Sequence, residues 1–285
     1  MKPMIFIFLP VFNEQETIGV LLYRIGEIMR KLRLEYEVLV ILDGCTDDSP
    51  EVVAPYLNIM PLRVVHYDQR AGYGKSLLAA IKRVTRQSQN PKRDFFIVLD
   101  ADFSYDPSYL QEMSSRIERN VDLYCGNRFA GAEARPGFRQ TFMQFAARAI
   151  LRLRGVKLKP GLDLLTTFCG CRVNLLRQYF HRLQVLERMG PEVPPSACAL
   201  TFLLLLYREA KVIDQIPLTD KKVRQRGSRL SLWAVIRFLL FSKVFLIPAD
   251  EVQNIPAIPA RNTRRTRRKR YSNKPHTDSS KLKEG

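Results

Sequence analysis

Five short runs rich in β-branched and aromatic residues, Met4–Val11, Tyr36–Leu42, Leu62–Tyr67, Asp94–Leu99 and Asp122–Cys125, alternate with helical stretches through the first 127 residues. Runs this short, separated by helices, form βαβ units whose strands lie side by side in a largely parallel sheet. The spacing predicts helices over Glu14–Leu32, with Asn13 as N-cap and Glu16 completing a capping box, and over Lys75–Gln87 and Pro107–Glu118. Beyond them, Phe138–Arg154 and Val173–Leu183 are predicted as helices, the first basic and amphipathic. Ala197–Ala210 is predicted as an apolar helix leading into a strand at Lys211–Pro217. The fold class is α/β, with a mostly parallel central sheet.

Ligands of such sheets sit beyond the carboxyl ends of the strands, and here every strand ends in polar residues. The first runs into Pro10-Val-Phe-Asn-Glu14, the second into Asp43-Gly-Cys-Thr-Asp-Asp48, the third into Asp68-Gln-Arg-Ala-Gly-Tyr-Gly-Lys75 and the fourth into Asp100-Ala-Asp102. Two carboxylates one residue apart in a strand-end loop can turn toward one divalent cation. Hard oxygen ligands suit Mg2+ or Mn2+ bridging a diphosphate. The competing reading has Asp102 merely capping the next turn. Gly74-Lys75-Ser76 imitates a phosphate loop, but Gln69 stands where that motif needs its first glycine. Gly72 and Gly74 are instead expected to be turn glycines that let the backbone approach a ligand.

The net charge of +18 is unevenly spread. Residues 1–127 hold 15 Lys/Arg against 17 Asp/Glu, residues 128–188 hold 12 against 3, and residues 261–285 hold 10 against 2. An acidic front followed by a basic back fits a metal site beside a surface that meets phosphates. The five cysteines are odd in number and lack zinc or disulfide spacing, so buried thiols in a reducing cytosol are expected. No signal peptide is expected at the N-terminus. The apolar run Ala197–Tyr207 is shorter than the roughly 20 residues a membrane-crossing helix needs. Leu230–Ile247 is apolar but interrupted by Arg237 and Lys243, which suits either a helix lying in a membrane interface or a core helix. Arg261–Arg270 packs seven Lys/Arg into ten residues and reads as a disordered polybasic tail. The expected organisation is a catalytic domain over 1–229, an interfacial helix and linker over 230–260, and the tail over 261–285.

Taken in order, Pro10-Val-Phe-Asn-Glu14, Asp43-Gly-Cys-Thr-Asp, Arg70-Ala-Gly-Tyr-Gly-Lys75 and Asp100-Ala-Asp-Phe-Ser104 resemble family 2 glycosyltransferases, in particular the dolichyl- or polyprenyl-phosphate mannosyl- and glucosyltransferases. The resemblance covers residues 4 to about 130 and, less fully, 210–231. It implies a GT-A-type nucleotide-diphospho-sugar transferase fold with inversion at the sugar carbon. It places Pro10, Phe12, Glu14 and Asp43 around the nucleotide, with Asp43 reaching the base or ribose. Asp100, Ala101 and Asp102 would meet the donor diphosphate, and Asp100, Asp102 and Ser104 would hold Mg2+ or Mn2+. Gly126-Asn-Arg-Phe129 resembles the family's G-S-R-Y segment, so Arg128, with Arg139 downstream, would grip an acceptor phosphate. Arg226-Gly-Ser-Arg229 resembles the R-x-x-K element that closes over the donor. Asp102, Arg128 and Arg139 are the catalytic candidates.

Three departures bear on the acceptor. A double Asp after the second strand is Leu42-Asp43 here, and D-T-Q-C-G-F-R is replaced by Thr166-Thr-Phe-Cys-Gly-Cys-Arg172, with Asp163 as a possible substitute for the leading Asp. The later helix carries Thr201 where the family has Glu. A hydroxyl acceptor needs a carboxylate base, whereas a phosphate monoester is already anionic, so the missing base favours a phosphate acceptor. The expected partners are a nucleotide-sugar donor, a lipid-phosphate acceptor and a membrane surface, with the protein peripheral on the cytoplasmic face. The alternatives are a family member acting on a hydroxyl and a basic nucleic-acid-binding protein. The latter lacks any recognisable binding motif, so no specific nucleic acid is expected.

Overall fold

The computed structural model describes residues 2–130, 137–156 and 161–218, the side chains of Glu118 and Arg139 excepted. All of them fall in the first of the chain's two units, Met1–Val252; the second, Gln253–Gly285, lies outside the described residues. The elements run β1 (Met4–Val11), α1 (Ile18–Leu32), β2 (Glu35–Asp43), α2 (Ser49–Val53), β3 (Leu62–Tyr67), α3 (Tyr73–Gln87), β4 (Phe95–Val98) and α4 (Tyr109–Arg116). They continue with β5 (Leu123–Asn127), α5 (Phe138–Leu153), β6 (Cys169–Arg172), α6 (Val173–Gln178), α7 (Phe180–Leu183), α8 (Pro195–Glu209) and β7 (Ile213–Pro217).

The seven strands make one sheet in the order β3-β2-β1-β4-β6-β5-β7. β1 pairs in parallel with β2 and β4, β2 with β3, and β5 with β7, while β6 is antiparallel to both β4 and β5. Helices cover both faces, so the central strands are apolar almost without a break. In β1, Phe6 and Phe8 face the cluster that includes Tyr73, Leu77 and Ile81 of α3 and Phe202 of α8. Ile5, Ile7 and Leu9 face the cluster built on Leu21, Leu22 and Ile25 of α1 and Leu110 and Met113 of α4.

The five sequence-predicted strands of the first 127 residues are present, with ends shifted by no more than two residues. β6 was not foreseen: a four-residue Cys-Gly-Cys-Arg strand carries too little β-branched content to announce itself. It places Cys125, Cys169 and Cys171 in one buried cluster, and all five thiols are free. The predicted N-cap of α1 is corrected. Asn13 sits in the left-handed region at φ 57° and bonds across to Thr46, so the helix begins at Ile18 with Thr17 as N-cap and no side-chain cap bond. The predicted helix Val173–Leu183 is two helices, broken at Tyr179. Ala197–Tyr207 lies within α8, whose apolar residues are almost all buried. Among the described residues no helix is long and apolar enough to cross a membrane.

The expectation for Gly72 and Gly74 is also corrected, because what they approach closely is the protein itself. Gly72 has φ +96°, and a Cβ on it would lie 2.7 Å from the carbonyl carbon of Gly190. Gly74 is inside α3, and a Cβ there would lie 2.6 Å from the Leu186 carbonyl oxygen and 2.8 Å from the Met189 Cβ. Gly74→Ala is therefore expected to lower stability by about 1–3 kcal/mol through overpacking, although the same change in an exposed helix gains roughly 1 kcal/mol. The midpoint of urea unfolding checks the sign.

Candidate active site

The chain adds β2 and β3 on one side of β1, then crosses back to lay β4 on its other side. The loops beyond the carboxyl ends of β1 and β4 therefore lead toward opposite edges of the sheet, and the ground between them is the crevice position at which open α/β sheets bind their ligands. The segments after β1, β2 and β4 converge there, as the sequence motifs require.

The loop after β1 is tied to the loop after β2. Asn13 Oδ1 accepts the Thr46 amide at 2.8 Å, Ser49 Oγ accepts the Glu14 amide at 2.8 Å, and Asp47 accepts the Gln15 amide at 3.1 Å. Pro10, Phe12 and Glu14 remain partly open. The Arg70 guanidinium lies 3.9 Å from the centroid of the Phe12 ring, a cation–π contact that brings the third strand's loop to the first. Asp43 is buried, and its carboxylate accepts the Ala71 amide at 2.6 Å and the Gly72 amide at 2.9 Å. It thus holds the loop that leads into α3. Beside it Gly44 adopts φ +67°, with no room for a Cβ, which would meet the Arg70 nitrogen at 2.4 Å.

After β4, Asp100 and Asp102 sit partly open, with Ala101 buried between them. Asp102 Oδ1 accepts the Ser104 amide at 2.8 Å, and Phe103 takes φ 57° to make that turn. Asp102 does cap the turn, and it stays partly open while doing so. Desolvation, then the neighbouring Asp102 charge, push the Asp100 carboxyl up to about 7 despite a hydrogen bond from the Thr167 hydroxyl. Such a strained pair is what a divalent cation relieves. Among the described residues no three His, Cys, Asp or Glu side chains cluster as a metal cage. Two carboxylates, completed by donor phosphates and water, nevertheless match the way Mg2+ is commonly held.

Because β6 runs antiparallel, its entry rather than its exit lies at this edge. Thr166 and Thr167 precede it, and the Tyr105 hydroxyl accepts the Thr167 amide at 3.1 Å. Arg172, at the far end, bonds the carbonyls of Val121 and Ile117 at 3.0 Å each, well away from the crevice. The Tyr73 hydroxyl is buried near Asp100 and Tyr105 without a hydrogen-bond partner. Sequence reasoning missed Thr167, Tyr73 and Tyr105; Thr167 is delivered by the reversed strand β6, which the sequence does not announce.

Arg128 follows β5. Its Nε and Nη2 donate to the two Asp163 oxygens at 2.8 and 3.0 Å, with the guanidinium 11% exposed and the carboxylate 0%. Asp163 also accepts the amides of Arg128 and Leu165. It therefore orients Arg128 and is not available as a base. Thr201 is fully buried in α8 and donates to the Ala197 carbonyl at 2.9 Å. Arg139 lies in the first turn of α5, while Arg226 and Arg229 fall outside the described residues, as do Leu230–Ile247 and the tail.

A helix-covered, mostly parallel sheet with paired carboxylates at its reversal point defines the GT-A class of nucleotide-sugar folds. Residues 6–180 match Glycosyl transferase family 2, and the chain belongs to that family. A dolichol-phosphate mannosyltransferase of Pyrococcus furiosus is 21% identical over 236 residues, 82% of this chain and 61% of the relative. An undecaprenyl-phosphate 4-deoxy-4-formamido-L-arabinose transferase of Yersinia enterocolitica is 27% identical over 119 residues, 41% of this chain and 34% of that protein. The chain thus spans less than two thirds of these relatives. Glucosyl-3-phosphoglycerate synthase from Mycobacterium tuberculosis, solved with Mn2+, uridine diphosphate and phosphoglyceric acid, has a TM-score of 0.60 at 20% identity, covering 87% of this chain and 80% of its own.

Removing one partner of a buried ion pair strands the other. Arg128→Ala is expected to destabilise the protein by about 3 kcal/mol, the lower end for such a loss because two amides still serve Asp163. Adding Asp163→Asn is expected to recover part of it, measured as unfolding free energies of the single and double variants.

Proposed function

We propose that the protein transfers a sugar from a UDP- or GDP-linked donor to a polyprenyl-phosphate-like acceptor at a membrane surface, with inversion at the anomeric carbon. The observation that carries the reading is the Asp100–Asp102 pair at the sheet's reversal point, in a site whose base candidates are spent. Asp163 is locked to Arg128, and Thr201, which stands where the family has Glu, is a hydroxyl that cannot act as a base and donates to the Ala197 carbonyl within α8. A phosphate acceptor needs no base, because its oxygen is already anionic. The names of the two relatives, both transferases of polyprenyl phosphates, support the same acceptor class.

In this reading Pro10, Phe12 and Glu14 line the nucleotide pocket. Asp43 shapes it through the loop it holds, in addition to the contact with base or ribose that the family resemblance implies. Asp100 and Asp102, with Ser104 beside them, would hold Mg2+ or Mn2+. A bound divalent ion there would neutralise charge gathering on the departing diphosphate. The acceptor's phosphate oxygen attacks the anomeric carbon from the opposite side. The carbon–oxygen bond to the donor breaks, and the nucleoside diphosphate leaves with the bonding electrons. Arg128, oriented by Asp163, and Arg139 bind the acceptor phosphate, a task suited to planar guanidinium groups. Arg226 and Arg229 close over the donor. The protein sits peripherally on the cytoplasmic face, where its free thiols stay reduced.

Radiolabelled UDP- and GDP-sugars offered with polyprenyl phosphate, or with hydroxyl acceptors, test the reading. Label entering the lipid phosphate supports it; label entering only a hydroxyl acceptor replaces it. Asp102→Asn is expected to cut transfer by at least 100-fold, in line with the loss of one charge-stabilising group. In chelator at pH 8, above the folded value of about 7, Asp100→Asn is expected to raise the melting temperature by a few degrees, since it removes a carboxyl whose ionisation folding opposes; the gain is expected to vanish below the ordinary carboxyl range. Mn2+ is expected to raise the melting temperature of the wild type and leave that of Asp100→Asn unchanged. Equal stabilisation of both proteins removes the metal assignment.

A further inference from the structure

α5 carries apolar side chains on two opposite faces, one more than a helix on a globular protein needs. Its inner face follows the helical repeat through Met143, Ala147 and Leu151, all buried in the core. Its outer face follows the same repeat through Phe138, Phe142, Phe145, Ala149 and Leu153. Phe138 is 86% exposed, Phe142 52%, Phe145 77% and Leu153 88%. Of the ten exposed large apolar side chains among the described residues, four lie on this one stripe. The others are single residues or small groups on α1, near β3 and before β7. Isolated exposed apolar residues are ordinary, but an aromatic row on one helix face marks a contact surface.

Charge identifies the partner. Gly137–Val156 contains Arg139, Arg148, Arg152 and Arg154 and no acidic residue at all. An apolar stripe carrying only cations complements an interface that is apolar within and anionic at its surface, and a protein partner would not demand the complete exclusion of acids. Position agrees. Gln144 and Arg148, on the inner side of α5, donate to the Leu162 carbonyl, and Gln144 Oε1 accepts the Leu164 amide at 3.0 Å. Those residues flank Asp163, the carboxylate that orients Arg128. α5 is therefore fixed to the segment that orients Arg128, and the stripe lies on the side of α5 opposite Met143, Ala147 and Leu151.

We propose that the outer face of α5 inserts into the headgroup region of an anionic membrane, with Phe138, Phe142, Phe145 and Leu153 as the buried side chains. Insertion holds the Arg128 side of the crevice against the lipid surface. The inference rests on the proposed lipid-phosphate acceptor only for its purpose; the binding itself requires no substrate. It is independent of the polybasic tail, whose attraction is screened by salt while apolar insertion is not.

The test uses the full chain and phosphatidylglycerol-rich vesicles that contain neither polyprenyl phosphate nor nucleotide sugar, at high salt. The triple variant Phe138→Ser, Phe142→Ser, Phe145→Ser is expected to lower vesicle partitioning by roughly tenfold or more, with an unchanged unfolding midpoint because none of the three is buried. A second protein, Phe145→Trp in a Trp233→Phe background, reports the environment of that position directly. Its emission is expected to shift to the blue when vesicles are added and to be quenched by brominated lipid. Partitioning of the triple variant equal to wild type, or a wild type that does not bind at high salt, overturns the proposal. So does a Phe145→Trp emission that is already blue and indifferent to vesicles, which would show the face covered by residues 219–260 of the same chain or by a second copy. Sugar transfer to detergent-dispersed polyprenyl phosphate is measured alongside. The triple variant is expected to keep that activity and lose it on vesicles, whereas absence of transfer by every protein in detergent fails the catalytic reading and leaves the vesicle result standing.

Discussion

The reversal of strand order at β1 is the constraint on which the rest depends. Parallel strands with helices on both faces leave their backbone edges covered and their side chains buried, so the only open ground is at the strand ends. At the carboxyl end, the loop after β1 leads toward β2 and the loop after β4 leads the other way, toward β6 and β5, although α1 and α4 pack on the same face. The candidate site lies where these connections part, and Asp100 and Asp102, which border it, stay partly open.

The two ends of the sheet handle charge in opposite ways. At the amino end, Asp94 is buried and saturated by the Met4 amide, the Ser88 hydroxyl and the Asn90 amide. Arg172 there is likewise spent on backbone carbonyls and stacks on Phe95. These groups stitch loops together. At the carboxyl end, Asp100 and Asp102 stand partly open with their charges opposed, an arrangement that costs stability and makes sense only where a cation or a ligand's polar groups complete it. Asp43 and the Arg128–Asp163 pair occupy a middle position, since Asp43 is held by backbone amides and Arg128 is oriented by the carboxylate it pairs with.

Much of this was legible in the residues, and the exceptions share a cause. The parallel strands announce themselves as continuous apolar runs, and the strand-end motifs follow from where such runs stop. What could not be read is whatever depends on partners distant in the chain. β6 is a strand because β4 and β5 leave a gap for it, not because Cys-Gly-Cys-Arg prefers one. Asn13 has the chemistry of an N-cap, but Thr46 offers its side chain a better geometry and the helix starts four residues later than the pattern suggests. Asp43 could be assigned to a ligand from its position, yet only the fold shows its oxygens turned onto Ala71 and Gly72. The exposed phenylalanines of α5 were counted as part of an amphipathic helix, and nothing in the sequence says which of its two apolar rows faces inward.

The antiparallel strand β6 also sets an order for assembly. The half-sheet β3-β2-β1-β4 is complete once residue 98 has been made, its last pairing joining Ile5 to Phe95. β5 cannot join it directly, because the place beside β4 belongs to a strand that arrives more than 40 residues later. Until β6 docks, β5 and everything that hangs from it, including Arg128 and α5, has no sheet to bind. The first half-sheet, with the strand ends that carry Asp43 and Asp100, is thus available early in synthesis, whereas Arg128 and α5 wait on a strand made much later. A nascent chain emerging from the ribosome would own the carboxylate side of its site well before it owned the guanidinium side.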